Sequence, residues 1–364
     1  MPVRIAGTAR DFPALDHPII QAPMAGGPST PALAAAVSAA GGLGFVAAGY
    51  ASPDGFAADI ARTRELTAAA VGVNLFLLAE TPVDHARLAA YAQAIEPDAR
   101  RHGVALGEPH FDDDSLEAKL EIVCRERPPI ASFTFGCPEP EVVARLHELE
   151  IAVWVTVTEV DEALLAAQAG ADALVVQGVE AGGHRGCFED DDGRGEVALL
   201  PLLRLVARTS ELPLIASGGI ADGGGVAAVL AAGARAAQIG TAFMRCPEAA
   251  TSPPHRDALI RPGPTALTRA FSGRRARGIV NAFMRDHDDH APPAYPHVNH
   301  LTAPLRAAGR RAGDADAINL WAGQAHALAE DRPAGELVRQ WSDDARAALD
   351  QARRRLASPD EHLA

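Results

Sequence analysis

The chain has 364 residues, a formal net charge of −14 and only 5% aromatic residues. That length suits one large α/β domain or two ordinary ones. Its acidity argues against a phosphate-backbone partner, so nucleic acid is not an expected ligand. No apolar run approaches the ~20 residues needed to span a bilayer, and no signal-peptide order is visible at the start. The expected address is cytoplasmic.

Short apolar runs alternate with alanine-rich or amphipathic helical stretches. Strands are predicted over 18–24 (PIIQAPM), 42–48 (GLGFVAA), 71–77 (VGVNLFL), 130–136 (IASFTFG), 152–157 (AVWVTV), 173–178 (ALVVQG), 212–217 (LPLIAS) and 236–241 (AAQIGT). Runs apolar on both faces and joined through helices indicate a parallel sheet covered on both sides. Eight such units point to an α/β fold of the (β/α)8 TIM-barrel type, with an open doubly wound sheet as the alternative. The junctions SAAGGLGFVAAG, AQAGADALVVQG and LAAGARAAQIGT each end a helix in Ala-Gly just before a strand. Shared loop chemistry explains this echo, since glycine tolerates the left-handed turn that ends a helix.

Two segments break the alternation. The connection between the third and fourth strands is about twice the usual length and ends in the acidic stretch GEPHFDDDS. Beyond the eighth strand the chain continues for residues 242–364. The expected division is a barrel over 1–245 and a C-terminal lid or cap over 246–364, with helices that complete the substrate pocket. This cap shows no core pattern of its own before its last helices.

In such barrels the C-terminal strand ends build the site. The first strand ends in Pro23, Met24 and Ala25, the third carries Asn74, and the sixth ends in Gln177. The seventh ends in Ser217, Gly218 and Gly219, and the eighth in Gln238, Ile239, Gly240 and Thr241. Glycine turns after strands seven and eight suit a phosphate held by backbone N–H groups. Paired donor and acceptor groups on Asn74 and Gln177 suit the edge of a planar heterocycle. The combination suggests flavin mononucleotide, FMN. His184 follows on a glycine-rich loop with Gly182 and Gly183, where a neutral imidazole can move a proton or simply bond a nearby carbonyl.

Cys124, Cys137, Cys187 and Cys246 are widely spaced without CxxC pairs, so neither disulfides nor a cysteine zinc site is expected. Cys187, although close to His184, reads as an ordinary small residue. In MRDHDDHAPPAYPHVNH, His287, His290, His297 and His300 accompany Asp286, Asp288 and Asp289. These are metal-ligand types, but three prolines interrupt them, so a solvated lid loop without metal is expected. Trp154 is expected in the core.

In order along the chain, APMAGG, GVNLF, SFTFG, QGVEAGGHRG, IASGGI, AQIGTAF, TRAFSGRRARG and LWAGQ span about Ile19 to Gln324. Together they resemble the class I nitronate monooxygenases, formerly called 2-nitropropane dioxygenases. The resemblance implies an FMN-dependent TIM barrel that oxidises alkyl nitronates, with nitroalkanes as further candidates, using O2 to form a carbonyl compound and nitrite. It implies that Asn74, Gln177, Gly182, Gly183, Gly218, Gly219, Gln238, Gly240 and Thr241 hold FMN, and that His184 is the active-site histidine. Tyr295 and Trp321 are expected on the substrate pocket. Arg274, Arg275 and Arg277 are open between a solvated or acid-paired run and a site for a carboxylated nitronate.

Two other functions stay in view. Flavin-dependent enoyl-acyl-carrier-protein reductases share a GGH-like loop, although SFTFG, FSGRRARG and LWAGQ resemble the monooxygenases better. A flavin-binding protein without turnover is the third reading. The physiological substrate, the use of a nicotinamide donor and the oligomeric state are open, and the alanine-rich helices are compatible with a homodimer.

Overall fold

The computed structural model describes residues 12–357. Within every predicted strand run a parallel strand forms: β1 (Ile19–Gln21), β2 (Gly44–Ala47), β3 (Val71–Phe76), β4 (Ile130–Thr134), β5 (Ala152–Val157) and β6 (Ala173–Gln177). A two-residue strand, β7 (Gly183–His184), intervenes before β8 (Leu214–Ser217) and β9 (Ala236–Ile239). The eight parallel strands pair in the order β1–β9–β8–β6–β5–β4–β3–β2. Leu43 closes the ring beside β1, donating to Ile19 O at 3.0 Å while its carbonyl accepts from Gln21 N at 2.9 Å. The fold is a TIM barrel.

Register explains why the polar strand ends meet. Gln177 pairs with Ser217, Ser217 with Gln238, and Asn74 with Ser132. Inside the barrel Ile20, Phe45, Trp154, Val175 and Ile215 fill the interior, with Phe12 stacked on Trp154 at 5.5 Å. Trp154 is therefore core.

The outer ring contains α1 (Pro31–Ala39), α2 (Pro53–Leu66), α4 (Leu116–Glu126), α5 (Pro140–Glu148), α6 (Val160–Ala169), α7 (Leu199–Val206) and α8 (Gly223–Ala231). The long β3–β4 connection adds α3 (His85–Arg101) before α4. After β9 come α9 (Pro253–Leu259), β10 (Thr265–Thr268), β11 (Ala276–Ile279), α10 (Ala282–His287), α11 (His297–Ala312) and α12 (Ala334–Ala357).

The last helix is the ring's eighth member. Leu337, Val338, Trp341 and Ala345 belong to the cluster that packs the helices on the sheet. Gly223 on α8 lies so close that an added Cβ would meet Asp344 Cβ at 2.3 Å and Trp341 O at 2.7 Å. The lid elements thus lie in the chain between β9 and the helix that packs beside α8. The lid also has a core. Leu88, Tyr91 and Ile95 of α3 pack with Phe271, Phe283, Leu301 and Leu305. Part of that core, Leu88, Tyr91 and Ile95, comes from the β3–β4 connection, so no pattern within the tail alone reveals it.

Among the described residues no helix is long and apolar enough to cross a membrane. All four cysteines are free thiols. Trp341 is 1% exposed and meets Phe243 at 5.0 Å between ring centroids. Trp341→Ala should cost about 3–5 kcal/mol in urea unfolding, as for a large core aromatic. A loss below about 1 kcal/mol would mean that α12 is only loosely attached.

Candidate active site

Strand ends and lid enclose a cavity of about 800 Å³. Pro23, Met24 and Ala25 line it from β1, and Asn74 lines it from β3. Gln177, Gly182, Gly183 and His184 follow from β6 and β7. Ser217, Gly218 and Gly219 line the β8 side, while Gln238, Gly240 and Thr241 line the β9 side. Trp321 also faces this space. Tyr295 sits behind the surface, its ring 5.4 Å from His184 and its hydroxyl 2.9 Å from that of Tyr50. Tyr50, Phe76 and Phe135, which do line the cavity, are the aromatics that sequence reasoning missed.

The β8 turn bends through Gly218 at φ +117° and Gly219 at φ +69°. Side chains rarely adopt these conformations, so glycine is required to bring backbone to the cavity. Gly182 is required for a different reason. A Cβ there would meet Gly323 N at 2.4 Å and Ala322 C at 2.5 Å. The LWAGQ stretch is the surface against which the histidine segment packs, and Thr241 Oγ1 accepts from Gly323 N at 3.0 Å.

The amides have distinct jobs. Asn74 Nδ2 donates to Ser132 Oγ at 2.9 Å and Thr134 Oγ1 at 3.0 Å, which orients the carboxamide and leaves Oδ1 as an acceptor. Gln177 spans the histidine segment, donating to His184 O at 3.3 Å and accepting from Gly186 N at 2.9 Å. Gln177 therefore positions this segment as well as lining the cavity.

His184 lies on a strand, in contrast to the open loop expected. β7 pairs antiparallel with β11, Gly183 opposite Arg277 and His184 opposite Ala276, and β10 completes a three-stranded sheet. Phe135, Tyr295 and Trp321 surround the imidazole at 5.4–6.0 Å between ring centroids. Ser272 Oγ donates to Arg274 O at 3.1 Å and lies 2.8 Å from His184 Nε2. With its proton so directed, the hydroxyl accepts from Nε2–H, leaving the lone pair on Nδ1. Burial, then the charges of Arg274 and Arg306, hold the imidazole pKa down to about 3. His184 is neutral at physiological pH.

The arginines divide into two sets. Arg275 pairs with Asp190 at 2.9 Å and Glu196 at 3.0 Å, and Arg277 donates to Val179 O at 2.7 Å. Arg274 lies over the Phe135 ring at 4.2 Å and donates to Arg185 O at 3.2 Å. This run is neither solvated nor free for a ligand, because its guanidinium groups hold backbone together. Arg185 does the same from a fully buried position, bonding Gly178 O at 2.8 Å, Gln177 O at 2.9 Å and Gly195 O at 2.9 Å.

The cations that face the cavity are Arg306 and Arg310 on α11. Arg306 donates to Thr302 Oγ1 at 3.0 Å and Asn299 Oδ1 at 2.7 Å. Burial first, then Arg310, lowers its pKa to about 10, and no carboxylate is among the groups that act on it. Both sequence neighbours of Arg306 are ordinary helix formers, so its role depends on the placement of α11. At the cavity rim, Asp114 forms an ion pair at 2.7 Å with Lys119, which is 1% exposed and the chain's only lysine. Cys187 is buried and its thiol pKa is raised mainly by burial, consistent with a structural residue.

The histidine-rich stretch is also more ordered than expected. Its first half forms α10 and a 3-10 turn, with His287 Nε2 2.8 Å from Asp98 Oδ2. His297 and His300 begin α11, and only His300 of the four reaches the cavity lining.

A closed barrel whose glycine bends, amides and half-buried histidine share one cavity defines a TIM-barrel enzyme. The chain belongs to the nitronate monooxygenase family, whose model matches residues 12–344. The nitronate monooxygenase of Pseudomonas aeruginosa is 42% identical over 348 residues, covering 91% of this chain and 97% of that protein. The nitronate monooxygenase of Paraburkholderia phytofirmans is 40% identical, covering 93% and 95%. Among solved structures, nitroalkane oxidase from Streptomyces ansochromogenes is 46% identical with a TM-score of 0.89, covering 94% of this chain and 98% of that one. FabK from Thermotoga maritima is more distant, at 27% identity and a TM-score of 0.75, covering 94% and 96%.

The low proton affinity of His184 fixes a pH dependence. The unfolded chain, with a histidine pKa near ~6.5, binds the proton first, so stability declines as pH falls from about 6.5 toward the folded value of about 3. His255, held down to about 4 mainly by burial, adds in the same direction. Nitrogen-15 spectra should show His184 as a neutral Nε2–H imidazole throughout the interval from about pH 5 to 8 in which ordinary histidines titrate. A His184 midpoint inside that interval would contradict the assignment.

Proposed function

We propose that this protein oxidises alkyl nitronates with O2 to a carbonyl compound and nitrite, using noncovalently bound FMN. The observation that carries this reading is the pairing of a neutral His184 with the carboxylate-free Arg306 cation in one buried cavity. Such a site favours a substrate that arrives as an anion. Family membership and the relatives' names support the same chemistry.

The residues present fit a flavin nucleotide. Asn74, with Oδ1 available, and Gln238 on the adjoining rim suit the polar edge of the ring. The bends at Gly218–Gly219 and Gly240–Thr241 would hold the phosphate through backbone N–H groups. When bound, FMN supplies the redox chemistry. The chain orients the substrate and excludes water. Arg306 attracts the nitronate, and Arg310 extends that attraction to nitronates that also carry a carboxylate. Phe76, Phe135 and Trp321 supply apolar cavity wall. Nδ1 of His184 hydrogen-bonds or takes a proton from the substrate carbon; a negative charge forming beside it offsets Arg306 and raises its proton affinity.

The purified protein should be yellow, release one FMN per chain on heating and consume O2 on addition of a nitronate without any nicotinamide. A colourless protein that fails to take up FMN, or one that reduces a crotonyl thioester with NADH and leaves nitronates untouched, would overturn the assignment.

Two variants separate charge from proton transfer. Arg306→Gln should lower kcat/KM for nitronates by about 10–100-fold, the effect of losing a charged hydrogen bond worth ~1.5–3 kcal/mol. His184→Asn should lower nitroalkane turnover by ~10²–10⁴-fold, while the already deprotonated nitronate loses much less. Equal losses on both substrate forms in His184→Asn would assign this histidine to positioning alone. FMN content, measured in parallel, should stay near that of the wild type.

A further inference from the structure

A second cluster of chemistry-bearing side chains stands at the cavity rim, where the acidic segment before α4 meets α11. The two elements are locked together. Gly107 N–H donates to Leu301 O at 2.9 Å, and a Cβ on Gly107 would meet His300 O at 2.1 Å. This close approach places His110 against His300, their rings stacked with centroids 4.0 Å apart and planes 17° from parallel. Asp112 completes the group, with Oδ2 4.0 Å from His300 Nε2.

We propose that His110, Asp112 and His300 bind a divalent transition ion of the zinc type, tying the acidic segment to α11 at the mouth of the cavity. One ligand atom from each of the three residues lies within 4.8 Å of the others. Around a tetrahedral ion with bonds of ~2.0–2.2 Å, ligand atoms stand roughly 3.3 Å apart. Rotation of the exposed His110 and Asp112 side chains closes that difference, and solvent completes the coordination.

The free atoms are the right ones. His110 Nδ1 lies 2.9 Å from Glu108 O. Donation to that carbonyl fixes the tautomer with the lone pair on Nε2, the arrangement that metal-ligating histidines use. Asp112 Oδ1 accepts from Asp114 N at 2.7 Å, which leaves Oδ2 toward His300. His300 Nε2 is shielded from solvent and has no hydrogen-bond partner. Two imidazoles and one carboxylate suit zinc and its first-row neighbours better than calcium or magnesium, which prefer oxygen donors.

The site differs from the metal cluster rejected on sequence grounds. Of that histidine-rich stretch it uses His300 alone, and its other two ligands come from GEPHFDDDS, far away in the chain. It lies outside the proposed redox chemistry, so its test stands apart from nitronate turnover.

Untagged, flavin-loaded protein would be stripped with EDTA, dialysed and titrated calorimetrically with zinc chloride. The expected result is one Zn²⁺ per chain, bound more tightly than about 100 µM and released by EDTA. His110→Ala/His300→Ala should weaken binding at least tenfold, and Asp112→Asn should weaken it in the same direction. Hydrogen exchange over residues 108–115 should slow when zinc is added to the wild type and stay unchanged in the double variant. Flavin content and circular dichroism show whether the variants fold. No saturable binding below about 100 µM, or equal affinity in the folded double variant, overturns the proposal.

Discussion

The antiparallel pairing of β7 with β11 is the contact on which the active site depends. Two residues, Gly183 and His184, are too few to form a stable strand alone. They are held because Arg277 and Ala276 lie opposite them and because Arg185 N–H donates to Arg275 O at 2.8 Å. The same connection carries Ser272 to His184, so one pairing sets both the ring's position and its tautomer. Buried Arg185 fastens the other side of the segment to the end of β6. Without this frame the glycines that admit backbone to the cavity would leave the histidine unplaced.

Electrostatics make the arrangement selective. A buried guanidinium normally has a carboxylate close by, since an isolated charge pays heavily for leaving water. Arg275 follows that rule. Arg306, half-buried on the cavity wall, instead has hydroxyl and carbonyl partners that orient it without neutralising it. Burial and the charge of Arg274 do most to depress the basicity of His184; the unbalanced charge of Arg306 adds to them and favours an anion in the same small volume.

The barrel was legible because strands buried on both faces leave short apolar runs, and because helix-to-strand junctions use Ala-Gly. The rim was legible as well, since parallel register carries Gln177, Ser217 and Gln238 to neighbouring positions once the strands are aligned. What sequence reasoning missed depends on contacts between distant segments. Nothing local distinguishes α12 from a lid helix; Gly223 on α8 makes it part of the barrel. Nothing in its local sequence marks Arg306, whereas the arginine-rich run Arg274, Arg275 and Arg277 stands out in sequence and is structural. Tyr295 was read as pocket wall, but it reaches the cavity only through its contacts with Tyr50 and His184.

The buried Lys119–Asp114 pair has a practical corollary. With no other lysine in the sequence, amine-directed reagents such as succinimidyl esters find no accessible ε-ammonium on the folded chain. A lysine-specific endoprotease has a single peptide bond to cut, and that bond lies in α4, behind the rim of the cavity. Cleavage there requires the helix to open, so the appearance of two fragments becomes a clock for local unfolding at the mouth of the site.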